Sequence, residues 1–219
     1  MKAIIFDLDG TLVDSVYAHT LAWQKTLSQF GMQCPAWTIH RRIGMSGKLL
    51  VKAIAREQRR TLSESQVERL DEHHTQLFHK LAPACAPLPG SVELLAYLGE
   101  SKIAHGIATS GKHAETEGSI NALSPSPSAV VVDGDMVREV KPEPDLFLLC
   151  QRKLQVDRAD CLIVGDAVWD IHAARRAGIL AVGVLSGGFG EQELYNAGAM
   201  RVYQDAKALH AGIDELGFD

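Results

Sequence analysis

The sequence has no long apolar run, no two cysteines close together, no low-complexity tract and no excess of positive charge. Each absence excludes a class. Cys34, Cys85, Cys150 and Cys161 form no C-x-x-C pair, which argues against a zinc knuckle or dithiol redox site and leaves four reduced packing residues. With 22 basic against 27 acidic residues the net charge is -5, so the basic stripe that a nucleic acid needs is not expected. A small anion is not excluded by that balance, because a metal ion, one lysine and backbone amides make a local positive site in an acidic protein. The opening Met1-Lys2-Ala3-Ile4-Ile5-Phe6 meets Asp7 at once and has no signal-peptide apolar stretch or membrane span, giving the expectation of a cytoplasmic protein without a membrane partner.

What is present is an ordinary globular composition, 46% apolar and 22% charged, on a 219-residue chain long enough for a sizeable core. Short apolar runs recur at Ala3 to Phe6, Ile103 to Ala108, Ala129 to Val132, Cys161 to Val164 and Leu180 to Leu185, with helical patterns between most of them. Such alternation predicts a doubly wound, parallel α/β sheet. From about Ser15 to Ala82 the periodicity is helical only. Leu21, Leu27 and Phe30 fit one helix face, Leu49, Leu50, Ala53 and Ile54 a second, and Val67, Leu70, Leu77, Phe78 and Leu81 a third. The breaker-rich segment Ala82 to Gly90 reads as a return linker. The expected division is a core of residues 1–14 and 83–219 with a helical insert at 15–82, placed over the sheet edge where α/β proteins bind ligands.

Four groups of residues carry chemistry. Asp7 and Asp9 follow the first apolar run, and their spacing of two directs both carboxylates to one side if the backbone stays extended. Two adjacent carboxylates repel unless a cation or shared proton offsets the charge. Gly10 permits an unusual turn and Thr11 adds a hydroxyl; the alternative is an acidic turn that caps the next helix. Thr109-Ser110-Gly111, at the end of the second run, presents a hydroxyl and free amides suited to a phosphate oxygen, or fills an ordinary turn. Lys141-Pro142 supplies a fixed cation, or a solvated lysine. Gly165-Asp166 and Asp170 place two further carboxylates at a strand end and a first helical turn, as an N-cap pair or as hard oxygen ligands that suit Mg²⁺ better than zinc.

In that order, Asp7-x-Asp9-Gly10-Thr11, Thr109, Lys141 and Gly165-Asp166-x-x-x-Asp170 resemble the four motifs of the haloacid dehalogenase-like superfamily, with a helical insert where the C1-type cap belongs. The resemblance implies a Rossmann-like core and a Mg²⁺-dependent phosphatase acting on a small phosphorylated metabolite. Asp7 is then the nucleophile and Asp9 the acid and base. Thr109, the Ser110 amide, Gly10 and Lys141 hold the phosphoryl group, while Asp7, the Asp9 carbonyl, Asp166 and Asp170 serve the metal. An acid at the Asp9 position separates phosphate chemistry from dehalogenation, because a halide leaves without a proton.

The insert's opening, Asp14 to Trp23, resembles that of phosphoglycolate phosphatases, sugar phosphatases and β-phosphoglucomutases, which makes His19 a candidate contact to the leaving group; Arg41 to Lys48 resembles the cap's substrate-specificity loop, with Lys48 or Arg42 as a contact to a substrate anion or, alternatively, as solvated charges. A mutase must hold a second phosphate, and the cap lysine associated with that activity has no clear counterpart; His73 or His74 lies nearest. Those two with His79 are expected on a hydrated helix face rather than in a metal cluster. A receiver-like phosphoacceptor is the non-enzymatic alternative. Oligomeric state and substrate identity are not legible.

Overall fold

The computed structural model describes residues 1–218; Asp219, the last residue of the expected core, lies outside them. Six strands, β1 (Ala3–Phe6), β2 (Ala104–Ala108), β3 (Val130–Val132), β4 (Cys161–Gly165), β5 (Leu180–Val184) and β6 (Arg201–Tyr203), form one parallel sheet in the order β3-β2-β1-β4-β5-β6. The helices are α1 (Val16–Gln29), α2 (Ala36–His40), α3 (Gly47–Glu57), α4 (Glu64–Leu81), α5 (Ser91–Glu100), α6 (His113–Leu123), α7 (Asp145–Leu154), α8 (Val168–Ala177), α9 (Glu191–Ala197) and α10 (Ala206–Ala211). The expected α/β architecture is present. Strand β6 was not expected: Arg201-Val202-Tyr203 is too short and too polar to stand out, and all three residues are half-buried at the sheet edge.

Both faces of the sheet are covered. Ala3 and Ile5 of β1 pack with α7, α8 and α9, whereas Ile4 and Phe6 pack with α5, α6 and α10. That is the period-two signature of a strand buried on both sides, and it explains why these strands are unbroken apolar runs. The strand order reverses between β1 and its neighbours, so the C-terminal ends of β1 and β4 flank the crevice where such sheets bind ligands.

Helices α1 to α4 pack around an apolar cluster of their own that includes Trp23, Leu27, Ile39, Leu50, Ile54, Val67 and Leu70. The start of α4 is fixed by a capping box, with the Ser63 side chain accepting from the Gln66 amide while Gln66 accepts from the Ser63 amide. Two expected inward positions are corrected. Leu21 and Leu49 are 40% and 42% exposed. The stripe of α1 is centred on Trp23 and Leu27, and Leu21 sits two residues, roughly 200°, from Trp23 and so on the opposite side. On α3 the buried stripe runs through Leu50, Val51, Ile54 and Ala55, leaving Leu49 on its rim.

The chain leaves and re-enters the sheet through two adjacent segments. Val13 bridges Pro87 in antiparallel fashion, the Asp14 amide donates to the Ala86 carbonyl at 2.9 Å, and the Leu88 amide donates to Leu12 at the same distance. Among the described residues no helix is long and apolar enough to cross a membrane.

Candidate active site

The end of β1 fixes the first carboxylate. The Asp7 amide still donates to the Val164 carbonyl at 2.8 Å, extending the central ladder one residue past the strand, and Asp7 is buried. Leu8 turns into the core, fully buried, so Asp7 and Asp9 line the same cavity, as the spacing of two requires. Gly10 then adopts φ +83°, where an added Cβ would come within 2.5 Å of Val16 and 2.7 Å of Asp166. The glycine is needed for both reasons.

Strand β4 delivers Asp166 beside it, because Phe6 pairs with Val164. Thr11 Oγ donates to Asp166 Oδ1 at 3.1 Å. Asp170 stands in the first turn of α8, where its Oδ2 accepts from the Ala167 amide at 3.0 Å and faces the positive end of the helix. Gly165 and Gly187 make room for these carboxylates: a Cβ on Gly165 would lie 2.3 Å from Asp170, and one on Gly187 only 1.7 Å from Asp166 Oδ2. Lys141 has no exposure. Its ammonium donates to Asp7 and, at 2.8 Å, to Asp170 Oδ1. The solvated-lysine alternative is therefore excluded, as is a merely capping role for the Asp166 and Asp170 pair.

Three buried carboxylates, Asp7, Asp166 and Asp170, offer oxygens that all lie within 4.8 Å of one another. One ammonium does not neutralise three charges. Burial first, then the neighbouring Asp170, pushes the Asp7 pKa up to about 7 despite Lys141; burial and Asp170 likewise raise Asp166 well above the usual carboxylate range. Such a cluster of hard oxygens under mutual repulsion fits a divalent cation of the magnesium type. The Asp9 carboxylate lies outside this group, which leaves its backbone carbonyl as the ligand that the resemblance implies.

Asp9 has different partners. Its Oδ1 accepts from Ser15 Oγ at 2.5 Å and lies 3.3 Å from His19 Nε2; its Oδ2 is 3.5 Å from Thr109 Oγ. Burial alone would raise the Asp9 pKa, but the charge and hydrogen bond of His19, aided by Ser15 and Lys141, hold it below its ordinary value. For His19 burial acts downward and is outweighed by Asp9, Glu115 and Asp7, leaving the imidazole more basic than usual. Behind it, His19 Nδ1 is 3.2 Å from His74 Nε2, and His74 Nδ1 lies 3.7 Å from Glu115. Burial and the nearby charges of His19, Lys112 and His73 keep the His74 pKa well below its ordinary value.

The hydrated-face expectation fails for His74, which is 4% exposed and stacked 4.1 Å from Trp23. It occupies the apolar stripe Val67-Leu70-His74-Phe78 of α4, and that periodicity marks it as buried. His73 bonds instead to Thr26, and His79 to the Ala114 carbonyl, so the three histidines do not converge.

These groups surround a cavity of about 380 Å³ roofed by α1, α3 and α4. Ser110 lines it, but its hydroxyl donates to the Gly44 carbonyl at 3.2 Å, which ties the loop after β2 to the helical segment. Thr109 is fully buried behind that wall. Lys48 stands at the rim, half-exposed and 3.8 Å from Glu68, and Arg42 is engaged by the Thr38 carbonyl and Glu57. Lys112, Glu115 and Asp71 also line the cavity and were missed by sequence reasoning. The signal was Gly111-Lys112-x-x-Glu115, a capping pattern directly after an apolar strand.

Residues 4–184 match the family described as haloacid dehalogenase-like hydrolase. The chain belongs to that family. Among curated relatives, beta-phosphoglucomutase of Bacillus subtilis is 34% identical over 193 residues, covering 85% of this chain and 84% of the relative. Phosphoglycolate phosphatase of Rhodospirillum rubrum is 30% identical over 227 residues, with 99% and 91% covered. A solved hydrolase from Pseudomonas syringae is 42% identical, with a TM-score of 0.95 and 99% of both chains covered. This haloacid dehalogenase-like hydrolase is thus an enzyme of the phosphatase kind, as the acid at position 9 led us to expect.

Proposed function

We propose that this protein hydrolyses a small phosphorylated metabolite in two steps through a phosphoryl group carried on Asp7. The observation that carries the reading is the pair Asp7 and Asp9, two residues apart on one cavity but in opposite electrostatic settings. Asp7 sits under the Lys141 ammonium; Asp9 is bonded to Ser15 and His19. A carboxylate held against a cation, at the end of the central strand, is a fixed nucleophile. A carboxylate sharing a proton with a basic imidazole is an acid and base in waiting.

In the first step an Asp7 oxygen bonds to phosphorus while the ester P–O bond breaks, and the proton held at the Asp9–His19 pair passes to the leaving oxygen. In the second, water attacks the phosphorus, Asp9 takes the water's proton, and phosphate leaves as the Asp7 carboxylate is restored. Positioned proton transfer of this kind is worth on the order of 10²- to 10⁴-fold in rate. Lys141 and the Ser110 amide serve the phosphoryl oxygens, with Thr109 bracing Asp9 from behind and itself accepting from the Gly111 amide at 3.1 Å. Asp7, Asp166 and Asp170 would hold Mg²⁺, which when bound would supply the positive charge that lets two anions approach. Residues 15–82 act as a cap that keeps bulk water from the cavity, with His19 its contribution to the chemistry and Lys48 at its entrance.

The test is hydrolysis of an aryl phosphate with phosphate release as readout. Turnover is expected with Mg²⁺, to vanish on chelation, and to fall by more than about 10³-fold in Asp7→Asn; undiminished turnover in that variant would sink the mechanism. A mutase is the second reading, favoured by the 34% identity to a beta-phosphoglucomutase. Isomerisation of a hexose phosphate without phosphate release would establish it instead. A phosphoacceptor role would be marked by an aspartyl-phosphate that persists without turnover.

A further inference from the structure

Behind Asp9 and His19 lie buried polar groups that the two-step reaction does not itself use. His19 of α1 turns its Nε2 to Asp9 Oδ1 at 3.3 Å and its Nδ1 to His74 Nε2 at 3.2 Å. His74 of α4 turns its Nδ1 to Glu115 Oε1, 3.7 Å away at the start of α6. The line leaves the sheet at Asp9, crosses two helices of the 15–82 segment and returns to the core at Glu115. The side chains of His19, His74 and Glu115 are only 11%, 5% and 8% exposed. Stacking fixes both imidazoles: His19 lies 3.8 Å from Phe78 and His74 4.1 Å from Trp23, at interplanar angles of 6° and 9°.

A neutral imidazole donates from one nitrogen and accepts at the other, and Glu115 decides which is which in His74. Its Oε2 accepts from the Lys112 amide at 3.1 Å and its Oε1 from the Thr75 hydroxyl, so an acceptor faces His74. A bare Nδ1 would set a lone pair against that carboxylate, whereas a protonated Nδ1 points its N–H there. His74 then offers the Nε2 lone pair to His19, which requires a proton on His19 Nδ1. The next proton of the pair resides between His19 Nε2 and Asp9. In the opposite tautomer His19 would have a single proton, on Nε2, and giving that up would create an imidazolate.

Resting on the phosphatase reading above, we propose that His74 and Glu115 are positioning residues for the acid step. Glu115 holds His74 in its Nδ1–H tautomer, and His74 in turn keeps one proton on His19 Nδ1, so that the proton between His19 Nε2 and Asp9 is free to leave. It passes to the ester oxygen as the P–O bond breaks, leaving Asp9 ionised and His19 neutral. The proton that Asp9 takes from water in the second step refills the same place. His74 and Glu115 keep their own protonation throughout, in keeping with the depressed pKa of His74, which burial and then the charges of His19, Lys112 and His73 bring about.

The test compares kcat/KM with Mg²⁺ for an alkyl ester, the faster of glycerol phosphate and a hexose phosphate, and for dinitrophenyl phosphate. An alkoxide has to be protonated as it leaves; a dinitrophenolate needs no acid. Glu115→Gln keeps the helix cap, because its oxygen still accepts from Lys112, but turns an NH₂ group towards His74 Nδ1 and so favours the other tautomer. It is expected to lower kcat/KM for the alkyl ester by about tenfold or more and to leave that for dinitrophenyl phosphate within about threefold. His74→Phe keeps the stack on Trp23 and should act in the same way, whereas His74→Gln, whose carboxamide accepts from His19 and donates towards Glu115, should recover part of the loss. Equal losses on both esters would mark support of the fold only and overturn the proposal, as would no loss on either. Long-range nitrogen–proton NMR correlations read the His74 tautomer in the intact protein whatever its activity: a protonated Nδ1 with a bare Nε2 is expected, and the reverse overturns the proposal. Failure of the intact protein to release phosphate from any of these esters defeats the phosphatase reading instead, and release from dinitrophenyl phosphate alone counts against a poised acid.

Discussion

Single residues in this site are constrained by what stands opposite them. Gly187 is the clearest case, since any side chain there would overlap Asp166. Gly187→Ala must displace Asp166 or the loop after β5, and we expect a fall in activity of more than tenfold together with a higher Mg²⁺ requirement, read from a Mg²⁺ titration of phosphate release. His74 makes a second prediction, about stability. Its pKa is depressed in the folded protein, so below about 6.5 the unfolded chain takes up a proton that the folded chain refuses. Stability from this residue is present above that pH and is lost as pH falls, by up to about 1.4 kcal/mol per pH unit. His19 is opposite in sign and, with its raised pKa, contributes fully in the same range. Denaturant unfolding of His74→Phe between pH 7 and 5 should therefore show a shallower decline than the unaltered protein; an equal slope would refute the assignment. At this scale the sequence was informative where chemistry needs a fixed order, as for Asp7, Asp9, Lys141 and Asp166. It was silent on Asp71, an ordinary surface residue type until α4 packs against the start of α6 and brings it to Lys112.

At the scale of elements, short buried strands were legible because covering both faces makes them uninterrupted apolar runs, as in Ile4-Ile5-Phe6 and Leu162-Ile163-Val164. Strand β6 escaped because an edge strand is covered less and can be polar. Helix existence was legible in the segment after Asp14, but helix orientation was not, as the exposed Leu21 and Leu49 demonstrate: apolar residues on the rim of a stripe look like its centre until the partner helix is known. The stripe of α1 now makes a quantitative expectation. Leu27 is fully buried among Trp23, Leu50 and Leu70, so Leu27→Ala should cost about 2–5 kcal/mol in denaturant unfolding. The same change at Leu21 should fall within about 0.5 kcal/mol of the unaltered protein, in keeping with its exposed position.

For the whole molecule, function follows from where the strand order reverses. That topology sets the ends of β1 and β4 side by side, so residues 159 positions apart in Asp7 and Asp166 converge without any local signal to join them. The helical segment reaches down to this edge at several points: His40 lies 2.8 Å from the Gly187 carbonyl, the Trp169 indole donates to Arg41 at 3.1 Å, and Arg41 pairs with Glu193 while stacking on Phe189. Net charge said little about the substrate, because the -5 balance is an average over the chain whereas recognition depends on the few charges that the cavity encloses.

The paired segments at Leu12 to Asp14 and Ala86 to Leu88 have a consequence for how such proteins diversify. Because they run side by side and are bonded to each other, the seventy-odd residues between them form a cassette whose two ends nearly touch. A foreign helical insert exchanged at those ends has to restore the contacts that this one makes to the site, Ser15 and His19 on Asp9 and the Ser46 amide on the Lys141 carbonyl, so we expect only inserts that supply them to keep turnover.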